Sequence, residues 1–314
     1  MNRTTKISKE LQSVEALIKK DFSKENTISG LYKYIFKSNG KKIRARLCLT
    51  TSSKTKNKEK IKLASVIELL HTATLVHDDV VDESPTRRGI RSVNNLWTNA
   101  HGVLIGDYIY SKAFIYLVDI GNKKILKELA DTTNDIAQGE LIQLDAINNE
   151  NITLNKLKKI SYFKTGRLFE AAAKTGAIIA NENKAFNYNV SECAKNLGIL
   201  FQIRDDLLDY SDNKKIGKPV FQDIKEGKVT YPFFYAYKNA NTREKKRLKE
   251  LLGASKDLKS KDLELITSLE GIKKTKQLAD KYHIKAIEYA KKIKNLDIRK
   301  EMIELADTAL NRDK

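Results

Sequence analysis

Residues that interrupt helices are scarce. Three prolines and fourteen glycines in 314 residues leave few natural breaks. With Lys, Glu, Leu, Ile and Ala abundant, this favours long helices over a sheet. The three prolines, Pro85, Pro219 and Pro232, all follow one or other of two acidic clusters, so the pattern breaks where charge gathers. Cysteine is nearly absent. Cys48 and Cys193 lie in apolar surroundings with no metal-ligand spacing, which excludes a disulfide scaffold and a zinc site and leaves two reduced, buried thiols. No apolar run approaches the ~18 residues of a transmembrane helix, and the first twenty residues lack the apolar stretch of a secretory signal. The expectation is a cytoplasmic protein with no transmembrane segment. Acidic residues are outnumbered, 40 against 59 Lys and Arg, for a net charge of +19. Most of the lysines alternate with glutamate and no aromatic platform accompanies them, which describes solvated helix faces and no nucleic-acid partner.

What remains is helical periodicity. It predicts helices over residues 6–37, 41–55, 58–83, 93–120, 124–147, 153–181, 184–210, 229–239 and 243–254, with a helical tail over 261–311. The 58–83 segment is apolar nearly all round (Leu63, Val66, Ile67, Leu70, Ala73, Thr74, Val76), so it should be buried. No linker or low-complexity segment divides the chain. One all-α domain over residues 1–314 is expected.

Two apolar runs end in the same acidic pattern, LVHDDVVDES and QIRDDLLDYS. The DDxxD clusters are Asp78, Asp79, Asp82 and Asp205, Asp206, Asp209. On a helix, i and i+4 share a face and i+1 lies about 100° round, so each cluster turns two or three carboxylates to one side. Both fall at the C-terminal ends of apolar helices, where the helix dipole is already negative. A cation must compensate, and hard oxygen donors suit Mg²⁺, which commonly shares substrate phosphates. One such cluster could equally be a solvated helix end; two at the ends of buried helices argue against that.

Basic residues gather nearby or at other loop ends: Lys41, Lys42, Arg44 and Arg46 in GKKIRAR, Arg87 and Arg88 in TRRG, Lys218, Lys225 and Lys228 in GKPVFQDIKEGK. Arg offers a fork to phosphate oxygens and Lys a mobile point charge. His71 stands two turns before Asp78 on nearly the same face. Acidic and basic sets together imply two anionic ligands, one bridged to metal and one held by Lys and Arg alone.

At this point the motifs HTATLVHDDVVDES, RRG, GDYIYSKAF, KTGRLFEAAA, FQIRDDLLDY and EGKVTYP are together specific. The chain resembles the trans-isoprenyl diphosphate synthase (polyprenyl synthetase) family over nearly its full length, nearest the bacterial octaprenyl diphosphate synthase branch. The resemblance implies an all-α isoprenoid-synthase helical bundle around a central cavity. It implies Mg²⁺ at Asp78, Asp79, Asp82, Asp205, Asp206 and Asp209, three ions with substrate bound. Arg87, Lys164, Lys218 and Lys228 would hold an allylic diphosphate; Lys41, Arg44, His71 and Arg88 would hold isopentenyl diphosphate. Thr165 and Gln202 would lie near the developing allylic cation. A homodimer and a quinone side chain as the product's use are likewise implied.

Two departures stand out. Asn39-Gly40-Lys41-Lys42-Ile43-Arg44-Ala45 lacks one glycine and the proline of the family pattern, and Phe221 replaces a usual glycine. Four and five residues before the first Asp, where a bulky side chain would stop elongation, the chain has Thr74 and Ala73, so a product well beyond fifteen carbons, nearest forty, is expected. Tyr108, Phe114 and Tyr116 are candidates to close the tunnel. A terpene cyclase would usually lack the isopentenyl-binding basic set and carry a mixed second motif. An inactive partner subunit would have eroded acidic motifs.

Overall fold

A computed structural model of the protein describes residues 3–20, 24–37, 40–87, 89–211, 221–254 and 260–312. The described chain is almost wholly helical. In order come α1 (Arg3–Lys20), α2 (Asn26–Ile35), α3 (Ile43–Thr51), α4 (Asn57–Val81), a hairpin of β1 (Thr86–Arg87) and β2 (Ile90–Arg91), α5 (Val93–Leu96), α6 (Asn99–Ile120), α7 (Lys123–Leu144) and α8 (Leu154–Ser161). A π-helical turn (Tyr162–Gly166) leads into α9 (Arg167–Ile179), then α10 (Lys184–Leu208), α11 (Gln222–Lys225), α12 (Tyr231–Asn239), α13 (Thr242–Leu251), α14 (Ser260–Ser268), α15 (Gly271–Lys291) and α16 (Leu296–Leu310).

Contacts gather in two compact units. The first comprises Met1–Thr133, Ala171–Ser191 and Asn295–Ile298; the second comprises Asn134–Glu170, Glu192–Lys294 and Arg299–Lys314.

In the first unit α4 is central, packed by α1, α3 and α6. Its apolar run is buried as its composition demands, with Leu63, Val66, Ile67, Leu70 and Ala73 all inaccessible. α6 runs antiparallel to it, Gly102 meeting Val80 and Gly106 meeting the His77 ring. A Cβ on Gly106 would fall 2.3 Å from His77 Nε2, so glycine is what lets the two helices approach there. The α1–α4 contact holds a charge pair: Lys60, 1% exposed, donates to Glu10 at 2.6 Å. In the second unit α12 packs on α13, α14 and α15. Asn148 sits between Gly227 and Gly253, both of positive φ, where a Cβ would fall 2.3 and 2.5 Å from its Oδ1.

Several expected helices are divided. Residues 6–37 form α1 and α2, and 93–120 form α5 and α6, because Thr98 leaves the helix and caps α6, its hydroxyl accepting from His101 N–H. The 261–311 tail is three helices. The hairpin after Pro85, the π turn and α11 carry no periodicity signal and were not anticipated. Cys48 and Cys193 are free and buried as expected, and burial pushes the Cys193 thiol up to about 12.

Removing one partner of a buried ion pair strands the other, at a cost of about 3–5 kcal/mol. Lys60→Ala should therefore lower unfolding stability by that order in urea denaturation, and Glu10→Leu/Lys60→Met should recover most of it.

Candidate active site

The first acidic motif closes α4. Asp78 and Asp79 occupy its last turn and Asp82 caps it, donating its N–H to Asp78 O. Asp78 and Asp82 are half-buried, whereas Asp79 is turned inward at 4% exposure. Arg87 Nε donates to Asp79 Oδ1 at 2.6 Å, and Asn94 Nδ2 donates to Asp79 O at 3.0 Å. Burial raises the Asp79 carboxyl and Arg87 opposes the rise. The hairpin explains the pairing: the chain leaves α4 after its cap at Asp82, and the hairpin beyond Pro85 turns Arg87 back on the motif it follows. Arg87, expected on substrate, thus also braces the middle aspartate.

Also in the first unit, Arg44 Nη1 lies 3.0 Å from His71 Nε2. Two residues expected to hold one diphosphate are brought together across α3 and α4. Glu68, one turn before His71, accepts from Ala45 N–H at 3.1 Å and fixes the start of α3. Lys41, two residues before α3, is exposed. Ala73 is fully buried on α4, and Thr74, half-buried, donates to His71 O at 2.8 Å. Arg88 and Lys218 lie outside the described residues.

The second motif repeats the design in the second unit. α10 ends at Leu208 with Asp205 and Asp206 in its last turn. Asp206, 6% exposed, accepts from Gln202 Nε2 at 2.9 Å and Tyr231 N–H at 3.3 Å. Asp205 is more open, 38% exposed, and paired with Arg312. Asp209 does different work: its carboxylate accepts the N–H groups of Gln222 at 2.9 Å and Asp223 at 3.3 Å, holding the start of α11. A fourth carboxylate, Asp223, adds its charge to Asp206 and Asp209. Burial and then the Asp223 charge push Asp206 well above the carboxylate range, and the same two causes raise Asp209 to about 7.

The π turn places two further candidates. Such turns recur at functional sites because the extra residue re-aims side chains. Thr165 donates to Gln202 Oε1 at 2.6 Å, so Thr165, Gln202 and Asp206 form a continuous relay. Lys164 donates to Glu140 at 2.8 Å and Gln143 at 3.0 Å. Lys228 pairs with Glu226 at 2.6 Å, and its N–H donates to Asp223 O. Phe221 keeps the left-handed backbone of the glycine it replaces, φ 64° and ψ 31°, at a strain of about 1–3 kcal/mol.

Sequence reasoning missed Glu140, Gln143 and Arg312. Glu140 and Gln143 signal themselves as polar residues three apart in an amphipathic run; Arg312 has no local signal, since its partner lies 107 positions away.

Among the described residues no three acidic, His or Cys side chains are already gathered as a closed metal cage. The donor chemistry nonetheless fits Mg²⁺, which takes one or two carboxylates and completes its shell with water and phosphate. Burial and the Asp223 charge leave Asp206 and Asp209 raised, so among the described residues the motif is short of positive charge that a divalent cation would offset.

The sign of the pH effect follows. A carboxyl near 7 in the folded state and ~3.9 unfolded resists ionisation only when folded, so stability falls as pH rises from about 4 through 7. In EDTA, thermal melting should drop by several degrees between pH 5.5 and pH 8, and Asp223→Asn should shrink that drop. A pH-independent melting point in EDTA would contradict the electrostatic picture.

A family model described as Polyprenyl synthetase matches residues 25–269. Octaprenyl diphosphate synthase of Escherichia coli is 35% identical over 292 residues, 91% of this chain and 90% of that protein. A short chain isoprenyl diphosphate synthase of Methanocaldococcus jannaschii is 35% identical over 323 residues, covering 96% and 94%. A crystal structure of polyprenyl synthase from Caulobacter crescentus, complexed with calcium and isoprenyl diphosphate, superposes with a TM-score of 0.91 at 32% identity over 98% of this chain and 96% of that one. The chain belongs to the polyprenyl synthetase family of trans-prenyl diphosphate synthases, has their all-α isoprenoid-synthase fold, and is a prenyltransferase.

Proposed function

We propose that the enzyme is a long-chain synthase that adds isopentenyl diphosphate units to an allylic diphosphate, farnesyl diphosphate to octaprenyl diphosphate being the preferred reading. The observation that carries it is the small pair Ala73 and Thr74 one turn before Asp78 on α4. The likeness to the E. coli octaprenyl enzyme supports the length; the comparably similar short-chain relative makes length a matter for experiment. On the same helix pair, Tyr116 is buried with Lys62 Nζ 5.7 Å from its ring centroid, near the far end of α4 from the acidic motif. A plug at that depth leaves room for a long product.

In this reading Asp78, Asp82 and Asp205 would hold Mg²⁺, with Asp79, Asp206 and Asp209 behind them. When bound, the metal would supply the positive charge that offsets the departing diphosphate. Lys164, Arg87, Lys218 and Lys228 bind the allylic diphosphate. Lys41, Arg44, His71 and Arg88 bind isopentenyl diphosphate, and the Arg44–His71 contact presets that pocket. As the allylic C–O bond breaks, the Thr165 and Gln202 oxygens face the developing cation. The isopentenyl double bond attacks it, and the proton lost on forming the new alkene goes to the released diphosphate. Preset dipoles and exclusion of water are the protein's contribution.

A homodimer belongs to the same proposal. On α6, Leu104, Ile115 and Val118 recur along one stripe at 67%, 54% and 70% exposure, an apolar surface that a second copy would cover. No described helix is long and apolar enough to cross a membrane. The product itself would partition to one, and a cytoplasmic enzyme feeding quinone side-chain attachment is the setting proposed.

Two outcomes test this. Asp78→Ala and Asp205→Ala should each cut turnover by at least about 10³-fold while helicity stays intact, the scale of losing a preset charge-stabilising group; normal Mg²⁺-dependent turnover in either would remove the metal assignment. With farnesyl diphosphate and labelled isopentenyl diphosphate, Ala73→Phe or Thr74→Phe should shorten a product that runs near forty carbons in the wild type. An unchanged distribution would place the tunnel elsewhere.

A further inference from the structure

Phe221 carries a bulky side chain at a backbone conformation that glycine adopts freely and other residues avoid, φ 64° and ψ 31°. Three contacts keep it there. Its N–H donates to Asp209 O at 2.9 Å. The next two N–H groups, of Gln222 and Asp223, donate to the Asp209 carboxylate. Its ring is 5% exposed and meets Tyr210 edge-on, centroids 5.6 Å apart. Tyr210 is itself fixed, 3% exposed, its hydroxyl 2.6 Å from Thr230 Oγ1. A glycine here would keep the three backbone N–H bonds and lose the ring contact. The chain therefore holds a strained residue whose distinctive feature is an apolar pin between the end of α10 and the start of α11.

The pin matters because of what α11 carries. Asp223 is two residues on, and its N–H donates to the Asp209 carboxylate at 3.3 Å. Its carbonyl accepts the Lys228 N–H at 2.8 Å, so the position of Asp223 also sets the start of the segment bearing Lys228.

We propose that Phe221 is a positioning residue for the second acidic motif: its buried ring pins the start of α11 to the end of α10, so that Asp209 and Asp223 are held together before substrate arrives. This rests on the metal reading of the motif given above. It differs from a packing role in what it controls. Pure packing changes stability; a preset site changes metal affinity at equal folding.

The test is calorimetric titration of Mn²⁺, in the presence of inorganic pyrophosphate, into the full-length wild type, Phe221→Gly, Phe221→Leu and Asp205→Ala, with melting curves and kcat and KM for each folded variant. Phe221→Gly should bind Mn²⁺ about tenfold more weakly, the scale of losing a group that orients ligands, and should need correspondingly more Mg²⁺ for turnover. Phe221→Leu, which keeps apolar bulk, should recover most of the affinity. Wild-type affinity in Phe221→Gly, whether or not its melting point moves, would overturn the proposal. Equal loss in the leucine and glycine variants would also overturn it, since apolar bulk would then not be what positions Asp223. If Asp205→Ala leaves Mn²⁺ binding unchanged, the metal reading itself fails and the proposal falls with it. If Asp205→Ala abolishes binding while Phe221→Gly does not weaken it, only the role of Phe221 is wrong.

Discussion

Carboxylates placed at the C-terminal ends of buried helices set the terms for much of this protein. A helix end is already electronegative, burial penalises charge, and neighbouring carboxylates repel one another. The protein answers twice in the same way. The middle aspartate of each motif is turned inward and held by protein donors, Arg87 and Asn94 for Asp79, Gln202 and the Tyr231 amide for Asp206. That leaves Asp78, Asp82 and Asp205 as the more accessible carboxylates. Among the described residues the charge at the second motif is not fully offset, and Asp209 stays near 7. Such a site favours a divalent cation brought in with a diphosphate.

Around the second motif the supporting groups are polar side chains that would be costly to bury without partners. Thr165, Gln202 and Asp206 satisfy one another in sequence, and Lys164 is held by Glu140 and Gln143. Such fixed arrays let an enzyme stabilise charge without rearranging at the moment of reaction. The π turn contributes by placing Lys164 and Thr165 where a regular helix would not.

The helices were legible wherever an apolar face must be buried. α4 reads from its composition alone, and so do the DDxxD endings of α4 and α10. Breaks were less legible. The division of residues 93–120 depends on Thr98 taking up a cap, and the π turn depends on one extra residue in a ladder that the sequence pattern does not encode. Each acidic motif followed from spacing and charge, whereas a shared ligand for Arg44 and His71 was implied by the family resemblance, and the structure brings the two within 3.0 Å. The inward turn of Asp79 followed from neither, because it requires Arg87 to fold back through a two-residue hairpin. Asp209 reads as one more ligand, yet its position just past α10 leaves it facing the free N–H groups of α11, and it caps them. The Phe221 departure was visible as a wrong residue type; only the backbone shows that the glycine conformation survived the change.

The account depends on both motifs drawing in metal once a diphosphate is present. Crystals grown with Mn²⁺ and pyrophosphate would locate the ions directly by anomalous scattering. The account predicts peaks within coordination distance of Asp78 or Asp82 and of Asp205. Pyrophosphate bound without manganese at either motif, with the carboxylates still in their protein-only contacts, would contradict it.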